Sequence, residues 1–200
     1  HPEYSKVPMA VCGSVENRHG IVLAKNELAK KAGVSTGEVI WKAKQKCPSL
    51  LVVHPTYGLY SQYSEAVNSI YYEYTDRIEP FGIDESWLDV TGSYKLFGDG
   101  RRIADILRER IKRELGITIS VGVSFTKTFA KLGSDYKKPD ATTLISRENY
   151  KQLLFPLPVD TLLFVGRHTK EKLHMLGINT VGELAAADPS FLTESFGRTG

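Results

Sequence analysis

Phe81-Gly82-Ile83-Asp84-Glu85-Ser86-Trp87-Leu88-Asp89-Val90 sets two adjacent carboxylates between apolar, strand-like runs. Tyr74 to Gly82 and Ser86 to Thr91 read as strands, which puts Asp84 and Glu85 at or beside the tip of a hairpin. In mid-strand their side chains would point to opposite faces of a sheet. At a tip both acids can leave one edge together, and their repulsion is relieved when a cation or a proton sits between them. Hard oxygen donors so placed suit magnesium held jointly with substrate phosphates. A solvated acidic turn is the alternative for these two residues taken alone, so the surrounding chain has to decide.

Upstream, Met9 to Gly13 and Ile21 to Ala24 read as short strands joined by the polar loop Ser14 to Gly20. Lys25 to Ala32 reads as a helix closed by Gly33. Glu38 to Lys46 reads as a second helix, stopped by Pro48, and Leu51 to His54 as a short strand. From Tyr57, the residues Tyr60, Tyr63, Val67, Ile70, Tyr71 and Tyr74 recur at spacings of three and four, as a helix face packed on a core requires. Downstream, Arg101 to Leu115 is a long helix with the buried stripe Ile103, Ile106, Leu107, Ile111 and Leu115, ended by Gly116. Ile117, Ile119, Val121 and Val123 alternate with Thr118, Ser120, Gly122 and Ser124, which predicts a half-buried strand. Long helices around an antiparallel hairpin predict an α+β fold with an antiparallel sheet and helices on one face. Past Pro156 and Pro158 the elements shorten to helices, and Thr180 to Glu183 supplies a capping box.

Two hundred residues with 42% hydrophobic content suffice for a sizeable core in one or two domains. The net charge of +3 does not by itself demand a nucleic-acid partner. The excess lies early: residues 1–55 hold eight Lys and Arg against four Asp and Glu. Cys12 and Cys47 are too few and too far apart for a zinc pattern or a secreted disulfide framework, and read as buried thiols in a reducing cytoplasm. No run approaches the roughly 20 apolar residues of a membrane span, so no membrane partner is expected; no signal peptide is read either.

Ile83-Asp84-Glu85-Ser86-Trp87-Leu88-Asp89, followed further on by Val121-Gly122-Val123-Ser124-Phe125-Thr126-Lys127-Thr128-Phe129-Ala130-Lys131-Leu132-Gly133-Ser134-Asp135-Tyr136-Lys137-Lys138-Pro139, resembles the palm of the Y-family (translesion, DinB/UmuC-like) DNA polymerases. Val11-Cys12-Gly13 to Gly37 resembles the family's fingers, and Pro158 to Ala187 its thumb. The resemblance implies residues 1–55 as fingers, 56–155 as palm and 156–200 as a partial thumb with a helix-hairpin-helix. It also implies a fragment. In the family a first palm strand carrying Asp, then an aromatic steric gate, precedes the segment that resembles His1 to Pro8. The family's last DNA-gripping domain follows the thumb.

The implied activity is template-directed addition of deoxynucleotides in translesion synthesis and DNA repair, by two-metal nucleotidyl transfer with magnesium. By resemblance, Asp84 is a catalytic, bridging metal ligand and Glu85 helps hold the metal near the primer hydroxyl. Lys138, beside Pro139, matches the lysine that faces the triphosphate. Many members carry Tyr-x-x-Arg on the first fingers helix; Glu27 and Lys30 stand there in this chain. Lys30 can neutralise phosphate charge without the bidentate geometry of Arg, and Glu27 is expected to turn away or pair with a neighbouring lysine. In the thumb, Gly166, Arg167 and Lys170 are expected at a DNA phosphate, with any positive φ of the turn on Gly166. The family's Gly-Val-Gly is Phe164-Val165-Gly166 here. Asp89 is expected to bond nearby backbone amides instead of a metal.

Primer-template DNA, deoxynucleoside triphosphates and a sliding clamp, reached through residues beyond this C-terminus, are the implied partners. The fragment alone is expected to be inactive. A non-catalytic polymerase-like DNA-binding or scaffolding subunit is the second reading, kept open by Glu27 and Phe164. A palm-fold nucleotide cyclase is a third, which the thumb-like segment disfavours.

Overall fold

A computed structural model describes residues 2–13 and 20–197, so residues 14–19 of the expected polar loop lie outside the described residues. Two compact units, His1–Ser61 and Gln62–Gly200, divide the chain.

In the first unit β1 (Met9–Cys12) pairs antiparallel with β2 (Val22–Lys25), with a register shift between Val11 and Cys12. Asn26 sets where the first helix begins. Its side chain accepts from Ala29 N at 2.9 Å, capping α1 (Glu27–Lys31), and from Met9 N at 3.1 Å, while its amide donates to Val7 O at 2.7 Å. The cap explains why the helix starts after Lys25, which is still in β2. Gly33, at φ +85°, turns the chain out of the helix as expected. After α2 (Ile40–Lys46), β3 (Leu51–Val53) returns parallel to β1, giving the order β2-β1-β3. The core is built largely of small side chains: Ala10, Cys12, Val22, Ala29, Val34, Ala43 and Cys47, joined by Ile40 and Leu50. Both thiols are buried and free, as expected.

The helix α3 (Tyr57–Tyr72) begins in the first unit and continues into the second. Its tyrosine stripe divides in two. Ile70 is buried, and so is Tyr74 just past the helix end, but Tyr57, Tyr60 and Tyr63 are exposed, so core packing accounts for the C-terminal half alone. The strand expected from Tyr74 is confined to β4 (Ile78–Pro80), because Tyr74 closes the helix end through its N–H to Tyr71 O and packs its ring, tilted, 4.8 Å from Phe97. The second strand of the pair, β5 (Ser86–Leu88), runs antiparallel to β4 with Glu79 opposite Trp87.

A short α4 (Tyr94–Phe97) leads to α5 (Gly100–Leu115). Asp99 caps α5 by accepting from Arg102 N at 2.8 Å, and Gly116 ends it at φ +68°. Its stripe Ile103, Leu107 and Ile111 packs on Ile70 and Tyr74, with Ile106, Leu115 and Leu88 partly buried around them. Each fully buried aliphatic contributes about 1.5–3 kcal/mol, and this cluster is the platform on which the hairpin rests.

The expected strand from Ile117 starts only at β6 (Val121–Ser124); Ile117 and Ile119 pack on the α5 cluster instead. From β6 the chain crosses through α6 (Lys127–Tyr136) to β7 (Thr142–Ile145), which lies parallel to β6. One antiparallel sheet is therefore not what forms. The second unit holds an antiparallel ladder, β4-β5, and a separate parallel ladder, β6-β7, so the chain is mixed α/β. A glycine pair sets the α6 position: a Cβ built on Gly122 would stand 1.8 Å from Ala130 O, and one on Gly133 3.0 Å from Gly122 Cα. Helix and strand backbones touch there.

Leu132, Ile145 and Leu154 join α6 and β7 to α7 (Tyr150–Leu154). Beyond it, α8 (Arg167–Met175), α9 (Val181–Ala186) and α10 (Pro189–Phe196) gather around Val159, Leu173 and Ile178. The expected capping box is present at Thr180 and Glu183.

Candidate active site

The hairpin closes where Phe81 N donates to Glu85 O at 2.8 Å, one step beyond the Pro80–Ser86 pair. Gly82 makes the turn at φ +80°, a conformation that glycine adopts without strain. Asp84 is exposed and has no hydrogen-bond or ion-pair partner among the described residues, while Glu85 is partly buried. Both carboxylates thus occupy the loop at the tip, as expected.

Contacts at three levels fasten the hairpin. Ser86 Oγ donates to Asn68 Oδ1 of α3 at 3.1 Å. Trp87 Nε1 donates to Lys127 O at the start of α6 at 3.2 Å, and Lys127 lies 5.4 Å over the indole while pairing with Glu79. At the base, Asp89 accepts from Thr91 N at 3.0 Å and pairs with Arg77 at 3.1 Å. Hydrogen bonds from Thr91, then from Arg77, hold the Asp89 carboxyl down at about 2. Asp89 therefore serves the turn.

Glu85 does not stand alone. Its Oε1 accepts from Lys131 Nζ on α6 at 2.8 Å, and the same ammonium lies 2.8 Å from Asp135. Asp135 in turn holds Lys138 at 2.8 Å. The Lys131 side chain is only 17% exposed, and a charge so enclosed is tolerable because it is paired on two sides. Burial opposes the charged forms of Lys131 and Asp135, but the ion pairs outweigh it. Lys131 is held above the usual lysine range and Asp135 below the usual carboxylate range.

Lys131 is the residue that the sequence reading passed over. Its spacing to Asp135 was a usable signal, since residues four apart meet on one helix face. Its pairing with Glu85, 46 positions away, was not visible in any local pattern.

The other expected residues belong to other elements. Lys30 lies on α1 in the first unit, exposed, and pairs with Glu27 at 3.4 Å, which is the pairing expected of that glutamate. On α8, Arg167 pairs with Glu171 at 3.0 Å and Lys170 with Asp160 at 2.7 Å. Gly166 caps α8 at φ −77°, so no positive φ falls on it. That conformation falls on Phe164, at φ +71°, whose ring is 84% exposed and meets Phe81 edge-on at 6.5 Å. Before Gly166 stands a three-residue 3-10 turn, Val159–Thr161.

Among the described residues no group of three or more His, Cys, Asp or Glu side chains could hold a metal. Two adjacent carboxylates still suit magnesium in kind, because that ion keeps several waters and binds through one or two carboxylates plus substrate phosphates. The ammonium on Glu85 shows that positive charge is already stabilised at this carboxylate. No helix among the described residues is long and apolar enough to cross a membrane.

Comparison with known proteins adds a family and a fold. The impB/mucB/samB family matches residues 1–135. DNA polymerase IV of Acetivibrio thermocellus is 56% identical over 200 residues, covering 100% of this chain and 50% of that protein. DNA polymerase IV 2 of Bacillus subtilis is 38% identical over 203 residues, covering 100% of this chain and 49% of that protein. The chain thus spans about half the length of these relatives. The crystal structure of DinB from Sulfolobus solfataricus matches with TM-score 0.88 at 29% identity, over 100% of this chain and 58% of that one. A Y-family DNA polymerase chimera matches with TM-score 0.89 at 29% identity, over 100% of this chain and 59% of that one.

Proposed function

Because the chain belongs to the impB/mucB/samB family and shares its fold with Y-family DNA polymerases, we propose that it supplies the chemical centre of a template-directed translesion DNA polymerase. The observation that carries this reading is the hairpin loop. Asp84 is free of partners among the described residues, Glu85 is held by a lysine, and both stand on a tip fastened to α3 and α6. The substrates would be primer-template DNA and deoxynucleoside triphosphates. A sliding clamp would be a partner of a chain as long as the relatives. Residues 1–55 would act as fingers, 56–155 as palm and 156–200 as thumb.

Asp84 and Glu85 would hold magnesium, two ions being the expectation for the complete site, and bound magnesium would supply activation of the primer hydroxyl and neutralisation of the leaving pyrophosphate. The chain's own residues orient and neutralise. The hairpin, fastened to α3 and α6, sets where the carboxylates stand, and Lys138 would meet the triphosphate as a point charge; Lys30 is the candidate phosphate contact of the first unit taken by itself. The first amides of α8 are unbonded within the helix and would donate to a DNA phosphate, with Arg167 and Lys170 beside it, in the manner of a helix-hairpin-helix.

The test is primer extension by the full-length protein with magnesium and the four deoxynucleotides. Incorporation opposite the template base is expected. Tight duplex binding without extension would transfer the chain to the scaffolding class. Lys138→Ala should weaken nucleotide binding or slow transfer by about 1.5–3 kcal/mol, the range of a charged hydrogen bond, with duplex affinity unchanged. Equal loss of both would place Lys138 on the DNA backbone. Lys170→Ala should flatten the slope of log duplex affinity against log salt by about one unit, because each neutralised phosphate contributes about 0.9. An unchanged slope would leave Lys170 to its pair with Asp160.

A further inference from the structure

Four alternating charges, Glu85, Lys131, Asp135 and Lys138, succeed one another at 2.8 Å per step. They run from a nearly enclosed ammonium at Lys131 to the surface: the side chains of Lys131, Asp135 and Lys138 are 17%, 47% and 56% exposed. Lys131 is shared between two carboxylates, and Asp135 between two ammonium groups. Each ion therefore sets how firmly its neighbour's other partner is held.

We propose that this row is a relay in which Lys131 is a positioning residue, so that neutralising Glu85 releases Lys138 to bind phosphate. The inference rests on the proposed roles of Glu85 and Lys138. With Glu85 ionised and unligated, Lys131 divides its attraction, and Asp135 keeps a firm hold on Lys138. Once a cation takes up the charge of Glu85, Lys131 gives itself wholly to Asp135 and its positive charge repels the neighbouring ammonium. Lys138 then leaves Asp135 at lower cost. A metal ion at the loop and a phosphate at Lys138 thereby favour each other, without contact between them.

The relay is tested on the full-length protein bound to a primer-template whose primer lacks the 3′ hydroxyl, so that no chemistry succeeds binding. The reading is the factor by which Lys138→Ala weakens deoxynucleotide binding. In the parent this factor should be about twofold in EDTA and about tenfold or more in saturating calcium, within the usual span of couplings between sites. In an Asp135→Asn background Lys138 is free throughout, so the factor should be large in both conditions. In Lys131→Met, Asp135 keeps Lys138 throughout, so the factor should be small in both. Glu85→Gln imitates neutralisation with no metal present and should raise the EDTA factor at least about fivefold.

Thermal transitions of each variant identify any that does not fold. The Glu85→Gln arm stands without the Lys131 and Asp135 variants, because it leaves the Lys131–Asp135 pair in place. Equal factors in EDTA and calcium for the parent, or an EDTA factor unmoved by Glu85→Gln, would overturn the relay while leaving Lys138 as a triphosphate contact. A Lys138→Ala protein with parental affinity in both conditions would remove that contact itself, and the relay with it.

Discussion

Full-length protein carrying Asp84→Asn or Glu85→Gln is expected to lose at least about two orders of magnitude in single-turnover primer extension, the usual cost of deleting one contact that stabilises charge in a transition state. Both changes keep the shape of the side chain and remove one negative charge. Asp84 has no partner to lose among the described residues, so its variant should unfold at the parental temperature. The hydrogen bond that closes the loop runs between the backbones of Phe81 and Glu85, and Glu85→Gln leaves it intact. Lys131 loses one carboxylate in that variant and keeps Asp135. A fall in rate with an unchanged thermal transition therefore reports on chemistry. Unchanged extension by both variants would withdraw the catalytic assignment and favour the scaffolding reading.

The second large effect is on folding. Gly122→Ala would put a methyl group 1.8 Å from Ala130 O and 2.5 Å from Ser134 N, both backbone atoms of α6. No rotamer relieves such an overlap, because a Cβ has none. Either α6 moves away from β6 or β6 leaves its ladder with β7, and each route strips cover from Leu132 and Ile145. A loss of more than about 3 kcal/mol is expected, the upper end for overpacking and a large part of the 5–15 kcal/mol that keeps a protein folded. For a chain of this size that corresponds to a fall in Tm of roughly 6–12 °C. Gly116→Ala is the comparison: nothing lies within 4 Å of its Cβ, and the left-handed φ alone should cost about 1–2 kcal/mol. A Gly122→Ala protein as stable as its parent would mean that helix and strand do not touch there.

Much of this was legible in the sequence. The stripe on α5, the glycine that ends it and the carboxylate tip are all written in local spacing, and local spacing is what a one-dimensional pattern records. The α6 block was recognisable, yet the single antiparallel sheet expected around it does not form. The Ile117 to Ser124 alternation says that one face is buried, and carries no sign of whether the neighbouring strand runs parallel or antiparallel. Tyr57, Tyr60 and Tyr63 have the right period for a core face and lie exposed, because period describes one helix and burial depends on what packs against it. Phe164 was singled out as a departure from the family pattern, but its left-handed backbone is a property of the turn before α8 and not of its own side chain. Lys131 had a visible partner in Asp135, and the pairing that matters more, with Glu85, exists only once the chain has folded.

The parallel β6-α6-β7 unit has a kinetic consequence. The antiparallel β4-β5 hairpin pairs across a five-residue tip, a contact close in sequence and of the fast class, whereas β6 and β7 pair in parallel across the α6 crossover, a longer closure than the hairpin's but a shorter one than that between Glu85 and Lys131. The carboxylates are carried by one piece, and Lys131, Asp135 and the approach to Lys138 by the other. Bringing the pieces together is the slow, long-range step, and the Glu85–Lys131 pair, bridging 46 positions, completes only then. The charges of the site are thus expected to meet after the hairpin that carries the carboxylates already has its shape.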